Sequence, residues 1–203
     1  PFPVVAAPSG MALGGGCEVL LHVDAVVAHA ETYTGLVEVG VGLIPGWGGC
    51  KEMILRFQER ERSKFKKDLN KIEKDRLWFS PPVTPMGAAR KAFETIGVAT
   101  VAKSAFDAID IGYFRESDGV TMNRDRLLHD AKERALLLAK HYAPPQKAEE
   151  IRLPGAGGKL ALDMAVADLR KSGKATPYDV VVSQILASVL TGGAKGDWTV
   201  KMT

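Results

Sequence analysis

Ser9-Gly-Met-Ala-Leu-Gly-Gly-Gly-Cys-Glu-Val-Leu20 is the stretch on which the fold turns. From Gly16 onward Val19, Leu20 and Val23 recur at helical spacing, so the triplet Gly14-Gly15-Gly16 lies at a helix N-terminus. Upstream, the apolar run from Phe2 to Ala7 reads as a short buried strand, which Pro8-Ser9-Gly10 breaks. Downstream, Ala25 to His29 reads as a second strand, and Glu31 to Gly35 continues through a turn toward Val37. Strand, glycine-rich turn, helix and strand in that order predict an α/β fold.

The same arrangement returns at Gly40-Val-Gly-Leu-Ile-Pro-Gly-Trp-Gly-Gly49, which delivers glycine backbone to a helix predicted over Cys50 to Phe57. Gln58 to Leu77 is almost wholly charged, with Phe65, Leu69, Ile72 and Leu77 at helical intervals, and predicts a solvated amphipathic helix. The prolines of Trp78 to Pro85 close it. Helices are then expected over Met86 to Ile96, over Ser104 to Ile111 with Gly112 as its end, and over Arg126 to His141. The last should carry Leu127, Leu128, Ala131, Ala135 and Leu138 on one face and stop at Pro144-Pro145. Lys159 to Lys171 reads as a helix after a Gly-rich turn, and Thr176-Pro-Tyr-Asp179 as the start of another running to Leu190. The expected partition is a core segment over 1–57, a charged helical insertion over 58–85, a helical remainder over 86–142 and a helical extension over 143–203.

A chain of 203 residues can bury a hydrophobic core without disulfides or metals, so its size does not confine it to a binding module. The net charge of +3 comes mostly from the run between Arg56 and Arg76, which speaks against a nucleic-acid partner. Cys17 and Cys50 stand in no CxxC or Cys/His pattern, so neither a disulfide framework nor a metal site is expected, and the cytoplasm is the default location. No apolar run reaches membrane-spanning length. Pro1-Phe2-Pro3 opens the chain without an initiator Met or a signal peptide, and a piece of a longer protein is expected.

Two acids stand out. Glu18 lies in the first turn of its helix, where an acid commonly serves only the helix dipole. Glu38, between Val37 and Val39 in a strand-like apolar run, has to be edge-exposed, paired or functional. Each follows a glycine-rich approach, an arrangement that lets two carboxylates face one small ligand beside free backbone N–H groups.

Three blocks in fixed order, Ser9 to Leu20, Asp24, and Gly35-Leu-Val-Glu-Val-Gly-Val-Gly-Leu-Ile-Pro-Gly-Trp-Gly-Gly49, resemble the crotonase, or enoyl-CoA hydratase, superfamily. Ser104-Ala-Phe-Asp-Ala-Ile-Asp-Ile-Gly112 is similar to that family's segment before the last core strand, and the resemblance covers about residues 1–142. It implies an α/β crotonase (ClpP-like) spiral fold, incomplete at its N-terminal side, with a mainly helical C-terminal region. It also implies an enzyme that adds water to a trans-2-enoyl-CoA to give a 3-hydroxyacyl-CoA in fatty-acid β-oxidation. Carried over by position, Glu18 would hold and deprotonate the water, Glu38 would deliver a proton to the α-carbon, the Gly15 amide would donate to the thioester oxygen, and Gly46 would help position the water. Coenzyme A enters as part of the substrate. Hydration needs no metal or other cofactor.

The chain departs from the family at Leu36-Val37 before Glu38, where many hydratases read Gln-Pro. Cys17 matches a common family residue and is expected to pack, while His22, His29, His129 and His141 are read as surface or core residues. Gly155 to Lys159 lacks the full phosphate-loop spacing and reads as a helix-initiating turn. Residues 58–85, Asp118-Gly-Val-Thr-Met-Asn-Arg-Asp125 and the tail through Leu190-Thr-Gly-Gly193 resemble the form fused behind an NAD-dependent 3-hydroxyacyl-CoA dehydrogenase. No dinucleotide fingerprint occurs in these residues, so NAD would belong to a domain outside them. Acyl-CoA, the fused dehydrogenase and further copies of the chain are the expected partners. The alternatives are an enoyl-CoA isomerase or another crotonase reaction, and, for the segment alone, a non-catalytic assembly domain.

Overall fold

The computed structural model describes residues 1–69, 85–144 and 151–195, with side chains over 1–64, 85–144 and 151–195. Its elements are β1 (Val5–Ala6), β2 (Met11–Leu13), α1 (Gly15–His22), β3 (Ala25–His29), β4 (Tyr33–Gly35), α2 (Gly49–Leu69), α3 (Pro85–Gly97), α4 (Ala105–Ile111), β5 (Gly119–Thr121), α5 (Leu127–Ala139), α6 (Gly155–Lys171) and α7 (Pro177–Thr191). Two compact units emerge, each discontinuous in sequence: 1–52 with 95–149, and 53–94 with 150–203.

The first unit holds both sheets. β1, β3 and β5 run parallel in that order, with Val5 opposite Ala25 and Val27 opposite Gly119; β2 and β4 form a second parallel pair, with Met11 opposite Tyr33 and Leu13 opposite Gly35. Parallel neighbours need a crossover: α1 lies in the connections from β1 to β3 and from β2 to β4, and the chain from β3 to β5 passes through α2 to α4. β3 is apolar from Ala25 to Ala28 and buried over those residues, as a strand covered on both faces requires. Asp118 ties β3 to the turn that leads into β5: its carboxylate accepts from the Val26 amide at 2.9 Å and from the Arg115 amide at 2.7 Å. Asp24, one of the family-like positions, accepts from the Val4 amide at 2.7 Å and from the Tyr142 hydroxyl at 3.2 Å, so it closes the corner between β1 and the end of the α5 segment.

Several expectations shift by a few residues. The strand expected over residues 2–7 is only Val5–Ala6 and half-buried. α2 begins at Gly49 and runs unbroken past Phe57 to Leu69, because the apolar and charged stretches share one helical backbone; residues 70–84, where the charged helix was expected to end, lie outside the described residues. The helix expected at Ser104 has Ser104 as its N-cap, its hydroxyl accepting from the Asp107 amide, and ends on left-handed Gly112 (φ 116°). On α5, Leu127 and Ala131 are buried but Leu128 is exposed, so its apolar face is narrower than the spacing suggests.

The second unit is helical. α6 and α7 pack against each other, burying Leu162 and Val166 on one and Val182, Leu186 and Leu190 on the other. α6 starts at Gly155, four residues earlier than expected, so the glycine-rich stretch is its first turn. Thr176 and Asp179 form a full capping box at the start of α7, as their spacing predicts.

Candidate active site

Gly14 turns the chain from β2 into α1 with φ 56°, a left-handed conformation that glycine adopts without steric cost. Its amide donates to the Gly35 carbonyl at 2.8 Å, which fastens the start of α1 to β4. The first-turn amides of α1, those of Gly15 and Gly16, have no acceptor within the helix, and the helix dipole places partial positive charge there. No atom lies within 4 Å of where a Gly15 side chain would begin, so the backbone at that point is open to a ligand.

One turn in, Glu18 is 3% exposed. Its Oε1 accepts from the backbone N–H of Trp47 at 2.8 Å and of Gly49 at 2.9 Å, so the second glycine-rich stretch is a clamp for the acid on the first. Gly49 is required by close approach: a Cβ there would fall 2.9 Å from both Glu18 Oε1 and Leu36 Cδ2. Gly46, immediately before the clamp, has open space where a side chain would begin.

Glu38 does not lie in a strand. It opens a 3-10 turn over Glu38–Val41, which ends on left-handed Gly42, whose amide donates to the Val39 carbonyl, while the Leu43 amide donates to the Glu38 carbonyl. The turn brings the Glu38 carboxyl to the start of α1, with Oε1 3.5 Å from the point where a Gly14 Cβ would stand. Burial pushes its pKa up, and the negative charge of Glu18 adds to that; Oε2 is buried and has no hydrogen-bond partner among the described residues. The surroundings of Glu38 thus shift it toward the protonated form relative to an ordinary carboxyl.

The remaining polar candidates are structural. Cys17 is buried within α1, and burial, followed by the charges of Glu18 and Glu38, pushes the Cys50 thiol up to about 12, which removes it as a nucleophile. His22, which the sequence gave no reason to single out, lies four residues after Glu18 and packs against the clamp. An open cleft of about 600 Å³ reaches Glu18 and is walled by Val4, Val19, His22, Trp47 and Tyr142. A larger groove of about 730 Å³ between β5 and α5 holds neither acid. Among the described residues no group of three or more His, Cys, Asp or Glu side chains is arranged to hold a metal ion, and no helix is long and apolar enough to cross a membrane.

Residues 1–61 match the enoyl-CoA hydratase/isomerase family model. The chain is 39% identical over 192 residues to the Bacillus subtilis "Probable 3-hydroxyacyl-CoA dehydrogenase", covering 94% of this chain and 22% of that protein. It is 45% identical over 51 residues to the "Short-chain-enoyl-CoA hydratase" of Clostridium acetobutylicum, covering 25% of this chain and 20% of that one. The matched residues thus span about a fifth of the length of each. The crystal structure of an enoyl-CoA hydratase from Mycobacterium avium aligns over 93% of this chain and 62% of its own, with 18% identity and a TM-score of 0.47. The match over residues 1–61 covers every feature of the clamp and both acids, and this segment of the chain belongs to the enoyl-CoA hydratase/isomerase family.

Proposed function

We propose that this chain carries the acid-bearing wall of an enoyl-CoA hydratase site within a longer β-oxidation protein that also contains an NAD-dependent 3-hydroxyacyl-CoA dehydrogenase. The observation that carries the reading is the pairing of a clamped carboxylate, Glu18, with a raised one, Glu38, beside the open N-terminus of α1. Glu18 orients a water and takes its proton as the oxygen bonds to the β-carbon of the enoyl group. Negative charge moves to the thioester oxygen, where the Gly15 amide donates to it, and a preorganised donor of this kind is worth about 3 kcal/mol in the transition state. Glu38 then delivers a proton to the α-carbon, so that one water is added in all. The backbone at Gly46 helps place the water. Coenzyme A is the carrier of the substrate, hydration proceeds without a metal, and NAD serves the dehydrogenase outside these residues. A cytoplasmic, homo-oligomeric protein is part of the same proposal.

The test is turnover of a short trans-2-enoyl-CoA by the full-length protein that carries this chain. Glu18→Gln and Glu38→Gln should each lower it by at least about 100-fold, and normal turnover in either variant would sink the assignment. Mass spectrometry separates hydration, which adds a water, from isomerisation, which leaves the mass unchanged.

A further inference from the structure

We infer that His22 is a positioning residue for Glu18, acting as the spacer between α1 and the loop that clamps the acid; the inference rests on the hydratase reading and assigns a second layer to the same site. The Nδ1 of His22 lies 2.7 Å from the main-chain oxygen of Glu18 itself. A carbonyl only accepts, so Nδ1 is assigned a proton and donates. The opposite edge of the ring meets Gly48: a Cβ on that glycine would stand 3.0 Å from His22 Nε2 and 3.2 Å from Cε1. Gly48, at φ 95°, lies between Trp47 and Gly49, the two residues whose amides hold Glu18 Oε1. One imidazole is thus fixed at one edge to the backbone of the acid and at the other abuts the middle of the acid's clamp.

Glu52, in the first turn of α2, lies on the far side of the ring, its Oε1 3.8 Å from Nε2, and is itself paired with Lys51 at 2.8 Å. That carboxylate limits how far the ring edge swings and joins the end of α1 to the beginning of α2. A shift of the ring changes the spacing between α1 and the loop, and with it both hydrogen bonds on Glu18. The contacts of the ring run to the Glu18 backbone, to Gly48 and to Glu52, so the expected effect is on turnover at unchanged KM.

The test compares His22→Ala, His22→Asn and Glu18→Gln in the full-length protein, with kcat and KM measured on the same short trans-2-enoyl-CoA. His22→Ala should lower kcat about tenfold at unchanged KM, and His22→Asn, which keeps a donor near the Nδ1 position, should fall between it and the wild type. The His22 side chain is 40% exposed and alanine is the best helix former, so the helix should tolerate the change; if His22→Ala nevertheless does not fold, His22→Gln is read by the same criteria. Wild-type kcat in His22→Ala, or a raised KM at unchanged kcat, overturns the inference. Glu18→Gln separates the two levels: if it turns over normally the hydratase reading falls, whereas an inactive Glu18→Gln beside an unimpaired His22→Ala overturns the role of His22 alone.

Discussion

Gly49→Ala is the sharpest probe of the clamp, because it adds one methyl group at a position where two buried side chains converge. The new Cβ would lie 2.9 Å from Glu18 Oε1 and 2.9 and 3.1 Å from the two terminal carbons of Leu36. Both neighbours are buried, Glu18 at 3% and Leu36 at 0% exposed. Overpacking of this kind costs about 1–3 kcal/mol. Gly49 is also the first residue of α2, where alanine improves helix propensity by up to about 1 kcal/mol, so the net loss of stability should be only about 0–2 kcal/mol. Turnover should fall much further, by about 10- to 100-fold, because restoring van der Waals distance moves the Glu18 carboxylate off the Trp47 and Gly49 amides. Steady-state hydration and thermal unfolding of the full-length protein read the two effects separately. Adding Leu36→Val relieves the apolar half of the clash without freeing Glu18, so turnover should stay low in the double variant. Wild-type turnover in Gly49→Ala, or recovery of turnover in the double variant, would refute the argument that the clamp sets the position of Glu18.

Glu38 has a folded-state pKa raised by burial and by the charge of Glu18, so its contribution to stability is complete below the unfolded carboxyl's titration and is lost as pH rises through its own. Glu38→Gln should therefore gain stability over the wild type as pH climbs from about 4.5 toward neutrality, read by urea unfolding across pH, and a difference of the opposite slope refutes the assignment. Cys17 and Cys50 should resist a thiol reagent at neutral pH in the folded protein and react once it is denatured, by peptide-level mass spectrometry; labelling of Cys50 in the native state contradicts its burial and its raised pKa. Trp47 serves the clamp through its amide while its side chain is 77% exposed, so Trp47→Ala should keep kcat within about threefold and Trp47→Pro, which removes the donor, should lower it at least about tenfold. Equal rates in those two variants would show that the amide is not what matters.

The features legible in the sequence are those whose cause lies within a few residues. Gly14-Gly15-Gly16 opens α1, Ala25 to His29 forms β3 with its expected bounds, Gly112 ends α4 and Thr176 to Asp179 caps α7, because capping, left-handed turns and apolar runs act locally. β5 needed Asp118 to reach the Val26 amide, 92 residues earlier, and no local pattern in Gly119 to Thr121 announces that. Glu38 was expected in a strand because Val37 and Val39 flank it, yet the left-handed Gly42 closes a 3-10 turn instead and swings the acid toward α1. The spacing of the two acids in sequence thus says little about their meeting, which depends on β4 running beside β2 so that Gly35 can receive the Gly14 amide.

The clamp on Glu18 is harder still to read, for a physical reason. Its donors are main-chain N–H groups, present in every residue except proline, so the identities of Trp47 and Gly49 do not encode them. What the sequence does encode is the room the clamp requires. Gly48 is free of a side chain where His22 presses, and Gly49 where Glu18 and Leu36 press; a methyl group would be crowded by the imidazole at the first place and would collide with Glu18 and Leu36 at the second. Glycine at these positions therefore marks the close approach of three segments, α1, β4 with its following turn, and the start of α2, around one buried carboxylate. The side chain that reports this convergence outside the glycines is His22, whose place four residues after Glu18 puts its imidazole over the same turn of α1 and under the loop. A histidine at that spacing from a buried acid, followed by a Gly-Gly pair before a helix, is the local trace that a non-local clamp leaves in this chain.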